Sequence, residues 1–279
     1  MEFASADAEH KYATLASLAS QAVIAFDFDG TVSPIVEDPT QAHIHPEAAE
    51  VLIELAPKVR ALAVVTGRPA RQVLALGGLE EVADELAASG TELLVHGQYG
   101  NERWTSTDRA IIGPRPPVGL ATFLRELPRL LREHGAADAY VEEKGLAVAV
   151  HTRRLAEPEA TYDRLLAPLR EAAESHDLTI EPGKQVIEVR APGMDKGLVI
   201  DRLVDTLGAK AILFAGDDLG DIEAFESLDA WAAEGLATLK VCSAAAGADE
   251  SPLAALADVV VDGPDGVLAL FRKLATDAT

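Results

Sequence analysis

The 279-residue chain is 48% hydrophobic and carries a formal net charge of −22 at pH 7. A chain of this length and apolar content can bury a large core, and we expect it to form two domains. The negative charge argues against nucleic acid and anionic membrane surfaces as partners, because both need Lys and Arg to neutralise phosphate.

No apolar run in the sequence is long enough to span a bilayer. Acidic residues near the start (Glu2, Asp7 and Glu9) are not typical of a secretory signal, so we expect a cytoplasmic protein. The single cysteine, Cys242, lies in an apolar segment without a partner thiol, which excludes a disulfide framework within this sequence. We also expect a monomer.

The first chemically distinctive stretch is Asp27-Phe28-Asp29-Gly30-Thr31, which follows the apolar run from Ala22 to Phe26. The run predicts a buried strand that delivers two carboxylates to its C-terminal edge, where open α/β sheets bind ligands. Side chains two apart in an extended segment share a face, so Asp27 and Asp29 can reach one reacting centre. Because adjacent carboxylates repel, we expect a divalent cation, and oxygen ligands favour Mg²⁺.

Three alternatives bear on this region. The two aspartates can simply be solvated residues at a strand end. An EF-hand loop would need Gly at Val32 and Glu at Asp38, so calcium binding is rejected. His43 and His45 are potential metal ligands, but no third ligand follows at zinc spacing.

A second predicted strand, from Leu62 to Val65, ends at Thr66-Gly67-Arg68 before a helix that Pro69 opens. Thr66 and nearby backbone N–H groups can hold a phosphate oxygen, with support from the helix N-terminus. The alternative is an N-cap threonine beside a surface arginine. A third strand, from Glu92 to Val95, leads into a loop with two glycines at the same edge.

From about Pro114 the pattern changes to helix, hairpin, helix, hairpin, which predicts an inserted α+β module. The predicted strands are 140–143, 146–151, 179–181 and 185–190, with a turn at Pro182-Gly183 between the last two. We therefore predict a core domain over residues 1–113 and 191–279, interrupted by a cap domain over residues 114–190.

The strands of this module carry polar side chains at alternating positions. Glu142 and Lys144 share one face, as do His151 and Arg153, and Glu188 faces away from its apolar neighbours. Two interpretations stay open, because an antiparallel sheet can have a solvated face as well as a ligand-binding one.

The second part of the core begins with Asp195-Lys196-Gly197, which opens a helix that Gly208 ends. The helix dipole disfavours a cation in the first turn, so Lys196 there suggests a bound anion, unless it faces water. The next strand, from Ala211 to Ala215, ends at Gly216-Asp217-Asp218. Asp217 is the natural third oxygen ligand of the metal, whereas Asp218 can simply cap a helix.

Strands at Val241 and 259–261 and a helix over 267–274 complete the predicted core, a Rossmann-like parallel sheet. Four motifs of this core, in this order, resemble those of the haloacid dehalogenase superfamily. They are Asp27-Phe28-Asp29-Gly30-Thr31, Thr66-Gly67-Arg68, Asp195-Lys196-Gly197 and Gly216-Asp217-Asp218. Within that superfamily, the chain most resembles the trehalose-6-phosphate phosphatase family. That likeness depends on Ser33-Pro34-Ile35, the segment from Glu142 through Lys144 to Arg153, and Glu188-Val189-Arg190.

The resemblance implies a role for each matching residue. Asp27 would be the nucleophile and Asp29 the general acid and base. Thr66, Gly67 and Lys196 would bind phosphate. The metal ligands would be Asp27, the backbone carbonyl of Asp29, and Asp217, and the sugar-binding residues would be Glu142, Lys144, Arg153 and Glu188.

The sequence departs from the family pattern in two places. The family usually follows Gly-Asp-Asp with Thr, Asp and Glu, whereas Leu219-Gly220-Asp221-Ile222 keeps only the aspartate. This departure concerns the residues that support the metal ligands. Thr152 replaces a usual tyrosine, which affects cap packing or sugar contact.

The resemblance implies Mg²⁺-dependent hydrolysis of trehalose 6-phosphate through an aspartyl-phosphate. One alternative is a phosphatase for another sugar or glycoside phosphate, of the sucrose or glucosylglycerate type. The other is a catalytically inactive sugar-phosphate sensor.

Overall fold

The computed structural model describes residues 2–193, 195–244 and 252–278. The chain folds as two compact units. The larger unit combines Met1–Gly113 with Asp195–Thr279, and the smaller unit is Pro114–Met194.

The larger unit is built on an eight-stranded sheet with the order β1-β12-β11-β10-β2-β3-β4-β5. Its strands are Glu2–Phe3 (β1), Ala22–Phe26 (β2), Ala61–Val65 (β3), Glu92–Gly97 (β4), Glu102–Thr105 (β5), Ala211–Gly216 (β10), Ala237–Ala244 (β11) and Val259–Asp262 (β12). The six inner strands are parallel, and only the outermost pairings, β1 with β12 and β4 with β5, are antiparallel. The predicted parallel-sheet core is confirmed.

Helices enclose this sheet, and the central strands β2, β3 and β10 are buried at every position. The helices are Ala6–Ser17 (α1), Ala48–Leu55 (α2), Ala70–Gly77 (α3), Leu79–Leu86 (α4), Lys196–Leu207 (α7), Ile222–Ala233 (α8) and Gly263–Asp277 (α9). Continuous apolar runs such as Ala22–Phe26 form strands here because a parallel sheet is buried on both faces.

Register aligns the functional strand tips. Phe26 of β2 pairs with Ala215 of β10 on one side and with Val64 of β3 on the other. All three strands run in the same direction, so the residues that follow them emerge at one edge of the sheet. The pairing therefore places Asp27 next to the segment after Ala215.

The smaller unit packs two helices on one face of an antiparallel sheet with the order β6-β7-β9-β8. Its strands are Tyr140–Glu143 (β6), Ala147–His151 (β7), Thr179–Gly183 (β8) and Val186–Arg190 (β9), and its helices are Val118–Glu133 (α5) and Pro158–Glu174 (α6). Alternate strand residues such as Val148, Ile187 and Val189 join the helices in one apolar core. None of the helices in the described residues is both long and apolar enough to cross a membrane.

The predicted turn at Pro182-Gly183 is wrong. Both residues continue strand β8, and the chain turns at the next two positions, where Gln185 has a φ of 59°. Strand β8 lies at the edge of its sheet, where one row of backbone groups needs no partner, so a proline is tolerated.

His96 of β4 is an unusual buried residue. Its side chain is 1% exposed, and neither ring nitrogen has a hydrogen-bond partner among the described residues. Burial, together with the positive charges of Arg202 on α7 and Arg103 on β5, lowers the pKa of His96 to about 4. The native protein therefore holds this imidazole neutral.

We predict that His96 makes the protein less stable in acid. A histidine in an unfolded chain titrates near pH 6.5. Between that pH and about 4, His96 therefore binds a proton in the unfolded state but not in the native state. The free energy of unfolding should fall by about 2–3 kcal/mol from this residue between pH 7.5 and 4.5. Urea denaturation of His96→Leu at both pH values should show a correspondingly smaller fall than the wild type.

The control for this experiment is His10→Leu, which removes an exposed histidine from α1. It should keep the wild-type dependence on pH. An unchanged dependence in His96→Leu would show that His96 is not held neutral.

Candidate active site

Asp27 is the first residue after β2 and is 6% exposed. Its Oδ1 accepts a hydrogen bond from the backbone N–H of Phe28 at 2.6 Å, and its Oδ2 lies 2.9 Å from Lys196 Nζ. The carboxylate is thus held by one backbone donor and one cation at the edge of the sheet.

Lys196 is the first residue of α7 and is 3% exposed. Asp195 starts the helix, because its side chain accepts a hydrogen bond from the N–H of Leu198. Burial lowers the pKa of Lys196, but the carboxylates of Asp221 and Asp27 outweigh burial and hold the pKa well above its usual value. Lys196 therefore faces carboxylates of the protein rather than water, and phosphate binding at this lysine stays a prediction.

Three carboxylates meet at this edge. Asp27, Asp217 and Asp221 each offer an oxygen, and these oxygens lie within 4.8 Å of one another. Burial raises the pKa of Asp27 to about 7, with Lys196 opposing and Asp221 adding to the rise. Burial, followed by neighbouring carboxylates, also raises the pKa of Asp217. An oxygen-only set of crowded carboxylates fits a hard divalent cation such as Mg²⁺.

Asp221 belongs to this cluster, although its sequence motif predicted no direct contact with Lys196 or with the metal. It is fully buried, and its Oδ1 accepts a hydrogen bond from Lys196 Nζ at 2.6 Å. Its Oδ2 accepts hydrogen bonds from the backbone N–H groups of Asp217 and Asp218. The sequence did give one indication, because Asp221 is the residue that the Leu219–Ile222 segment shares with the usual family pattern.

The side chain of Asp29 points to a different partner from that of Asp27. Its two oxygens accept hydrogen bonds from Arg68 Nε at 2.5 Å and Arg68 Nη2 at 2.7 Å. The alternative of a surface arginine is therefore wrong, because Arg68 is buried at 9% exposure. Arg68 thus belongs to the site, although its motif predicted no role for it there.

Thr66 and Gly67 lie in the turn after β3. Thr66 is buried, and its hydroxyl oxygen accepts a hydrogen bond from the N–H of Arg68 at 3.2 Å. Tyr99 packs so closely on Gly67 that a Cβ at residue 67 would lie 2.8 Å from the tyrosine hydroxyl oxygen. The turn is thereby fixed where the sequence predicts a phosphate-binding loop.

In the smaller unit, Glu142 and Glu188 lie on the face of the sheet opposite the helices, since both pair with Ala149 of β7. Lys144 Nζ donates to Glu188 Oε2 at 2.5 Å, and His151 Nε2 lies 3.0 Å from Glu142 Oε2. The prediction that Arg153 shares a strand face with His151 is wrong. Strand β7 ends at His151, and Arg153 is exposed in the turn that follows.

Two solved structures share the fold of this chain. A haloacid dehalogenase-like hydrolase from Bacteroides thetaiotaomicron matches the structure with a TM-score of 0.62 at 15% identity, over 90% of this chain and 98% of that one. The C-terminal domain of trehalose-6-phosphate phosphatase from C. albicans matches with a TM-score of 0.77 at 18% identity, over 99% and 98%. The chain thus has the fold of haloacid dehalogenase-like hydrolases with a cap domain.

Sequence comparison identifies the family. Residues 25–98 and 132–255 match the family model described as Trehalose-phosphatase. A trehalose-phosphate phosphatase from Mycobacterium tuberculosis is 31% identical over 215 residues, which are 75% of this chain and 52% of that protein. The chain belongs to the trehalose-phosphatase family, a family of phosphatase enzymes, and this confirms the resemblance noted in the sequence.

The chain is shorter than the curated relatives that it matches. It spans about half of the trehalose-phosphate phosphatase just described. Another protein of Mycobacterium tuberculosis, described as an uncharacterized glycosyl hydrolase, is 34% identical over 213 residues, which are 72% of this chain and 15% of that protein.

We predict that Gly30→Ala destabilises the protein by more than its backbone strain. Gly30 has a φ of +67°, and a Cβ there would lie 2.1 Å from Asp217 Oδ2. The strain costs about 1–2 kcal/mol, and displacing the carboxylate should add about 1–3 kcal/mol. Urea denaturation at pH 7.5 measures the loss.

The matched control is Gly208→Ala at the end of α7, where φ is +60° and no atom lies within 4 Å of the added Cβ. Its loss of stability should equal the backbone strain alone. Equal losses in the two variants would mean that Asp217 does not pack against the Asp29-Gly30 turn.

Proposed function

We propose that this chain hydrolyses trehalose 6-phosphate to trehalose and phosphate with the help of Mg²⁺. The observation that carries the proposal is the buried Asp27 at a strand tip, paired with Lys196 and beside Asp217 and Asp221, in a member of the trehalose-phosphatase family. Family membership supports the substrate, and the geometry supports the chemistry.

Asp27 is the proposed nucleophile. Its Oδ1 is fixed by the N–H of Phe28, so the side chain is already oriented when a phosphate ester arrives. A carboxylate oxygen of Asp27 attacks phosphorus while the bond from phosphorus to the sugar oxygen breaks, which forms an aspartyl-phosphate. Asp29 gives its proton to the leaving oxygen in this step.

The second half of the reaction restores the enzyme. A water molecule attacks the phosphorus of the aspartyl-phosphate and gives a proton to Asp29, while the bond between phosphorus and Asp27 breaks. Phosphate leaves, Asp27 is again a carboxylate and Asp29 is again protonated. One residue thus acts as acid and then as base.

Charge on the transferred phosphoryl group needs fixed donors, because positioning and electrostatics are the main work in phosphoryl transfer. We assign this role to Lys196, the Thr66 hydroxyl and the N–H of Gly67. The hydroxyl oxygen of Thr66 already accepts from the N–H of Arg68, which leaves its O–H free to donate to a phosphate oxygen.

Asp27, Asp217 and the backbone carbonyl of Asp29 are the proposed ligands of Mg²⁺, with Asp221 alongside. When bound, Mg²⁺ offsets the negative charge of the carboxylates and of the phosphate ester. Asp221 also holds the segment that carries Asp217, because its Oδ2 accepts the N–H of that residue at 2.9 Å.

Glu142, Lys144 and Glu188 are the proposed sugar-binding residues, with Arg153 nearer the phosphate end. Glu188 is 4% exposed, its Oε2 accepts from Lys144, and its Oε1 has no hydrogen-bond partner among the described residues. A buried oxygen without a donor is costly, and a sugar hydroxyl would supply that donor. Esters without such hydroxyls leave the cost in place, which favours the sugar phosphate.

We predict that Asp27→Asn keeps the fold and lowers the kcat on trehalose 6-phosphate by at least about 1,000-fold, because the amide is a poor nucleophile. Phosphate release in Mg²⁺ measures kcat, and circular dichroism checks the fold. Asp205→Asn, an exposed change on α7, is the control and should keep full activity. Residual turnover above about a thousandth would count against Asp27 as nucleophile.

We predict that Glu142→Ala and Glu188→Ala lower kcat/KM on trehalose 6-phosphate at least about 10-fold more than on p-nitrophenyl phosphate, which lacks sugar hydroxyls. Glu143→Ala, an exposed neighbour on β6, is the control and should affect neither substrate. Equal losses on both substrates would remove the sugar-binding role. A panel with other sugar phosphates distinguishes trehalose 6-phosphate from the sucrose and glucosylglycerate types.

A further inference from the structure

Arg68 joins three segments of the larger unit through its guanidinium and its backbone. Its Nε and Nη2 donate to the two oxygens of Asp29, and its Nη1 donates to the carbonyl of Pro39 at 2.8 Å. Its backbone N–H donates to Thr66, and its carbonyl accepts from the N–H of Gln98 at 2.8 Å. The guanidinium is therefore fixed before any substrate is present.

The Asp29 carboxylate needs such a partner because little else holds it. Its side chain is 37% exposed, in contrast to the 9% of the Asp27 side chain. A planar guanidinium that donates to both oxygens fixes the position and the plane of a carboxylate. A lysine at this position would supply the charge but only a point contact.

The two aspartates of the Asp27-Phe28-Asp29 segment thus have separate cations from separate elements. Asp27 pairs with Lys196 from α7, and Asp29 pairs with Arg68 from the turn after β3. The two carboxylates share a face of the chain, but their different cations direct them to different positions. A nucleophile and a proton donor need that separation, because they act on opposite sides of the phosphorus atom.

We propose that Arg68 is the positioning residue of Asp29: it holds the carboxyl group in the orientation in which Asp29 exchanges its proton with the leaving oxygen and with water. This inference rests on the proposed function and adds to it a residue that acts through Asp29. The two contacts in the structure are those of the ionised carboxylate, and a protonated Asp29 keeps one of them through its other oxygen.

The first test compares leaving groups. A sugar alkoxide needs a proton to depart, whereas p-nitrophenolate is a stable anion that departs without one. Release of the leaving group in a single turnover, with enzyme in excess, isolates this step from the hydrolysis of the aspartyl-phosphate, which is common to both substrates. Arg68→Met should therefore slow release of trehalose at least about 100-fold and release of p-nitrophenolate less than about 10-fold. Equal losses in this step would overturn the proposal, since Arg68 would then act on the phosphate or on the fold.

Two further variants separate geometry from charge and from general effects. Arg68→Lys keeps the charge without the two-point contact, so its kcat on trehalose 6-phosphate should stay at least about 10-fold below wild type. Full activity of Arg68→Lys would overturn the proposal. Arg71→Met, an exposed arginine of α3, is the control and should match the wild type on both substrates.

A double-mutant cycle tests whether Arg68 acts through Asp29. In an Asp29→Asn background, Arg68→Met should cause less than about 3-fold further loss of kcat on trehalose 6-phosphate, because the residue it positions is already gone. A further loss as large as in the wild-type background would overturn the proposal. Wild-type turnover of trehalose 6-phosphate tests the proposed function itself, so the two failures are distinguishable.

Discussion

The buried ion pair of Lys196 with Asp27 and Asp221 is the constraint on which the rest of the site depends. A buried lysine is costly unless it is paired and hydrogen-bonded, and here two carboxylates compensate for burial. The three residues come from the end of β2, the start of α7 and the turn before α8. Their pairing therefore fixes a helix N-terminus against two strand tips.

Backbone packing makes this arrangement possible. Asp221 reaches Lys196 only because Gly216 at the end of β10 has no side chain, since a Cβ there would lie 2.3 Å from the Asp221 carboxyl carbon. From that position Asp221 accepts two backbone N–H groups and so fixes the turn that carries Asp217. Charge pairing and close packing thus determine the same geometry, and a change to either would disturb the acidic cluster.

Sequence patterns predicted the strands and their tips well, because buried parallel strands appear as short apolar runs that end at polar motifs. They predicted side-chain partners poorly. Period and spacing placed Arg68 at the right edge, but its contact with Asp29 depends on the direction of both side chains across two strands. Asp221 was missed as a partner of Lys196 for the same reason. The turn at Pro182-Gly183 was misplaced because proline is compatible with an edge strand as well as with a turn.

The balance of charge at the strand tips connects the structure to the proposed chemistry. Asp27, Asp217, Asp218 and Asp221 surround Lys196, and Asp29 pairs with Arg68, so the carboxylates at this edge outnumber the cations. This excess of negative charge adds to burial, the larger cause, in raising the pKa values of Asp27 and Asp217. In a chain of net charge −22, this cluster repels a phosphate ester, so the proposed reaction needs a divalent cation to offset the carboxylates. The carboxylates that are the proposed ligands of Mg²⁺ would thus also make phosphate binding depend on that ion.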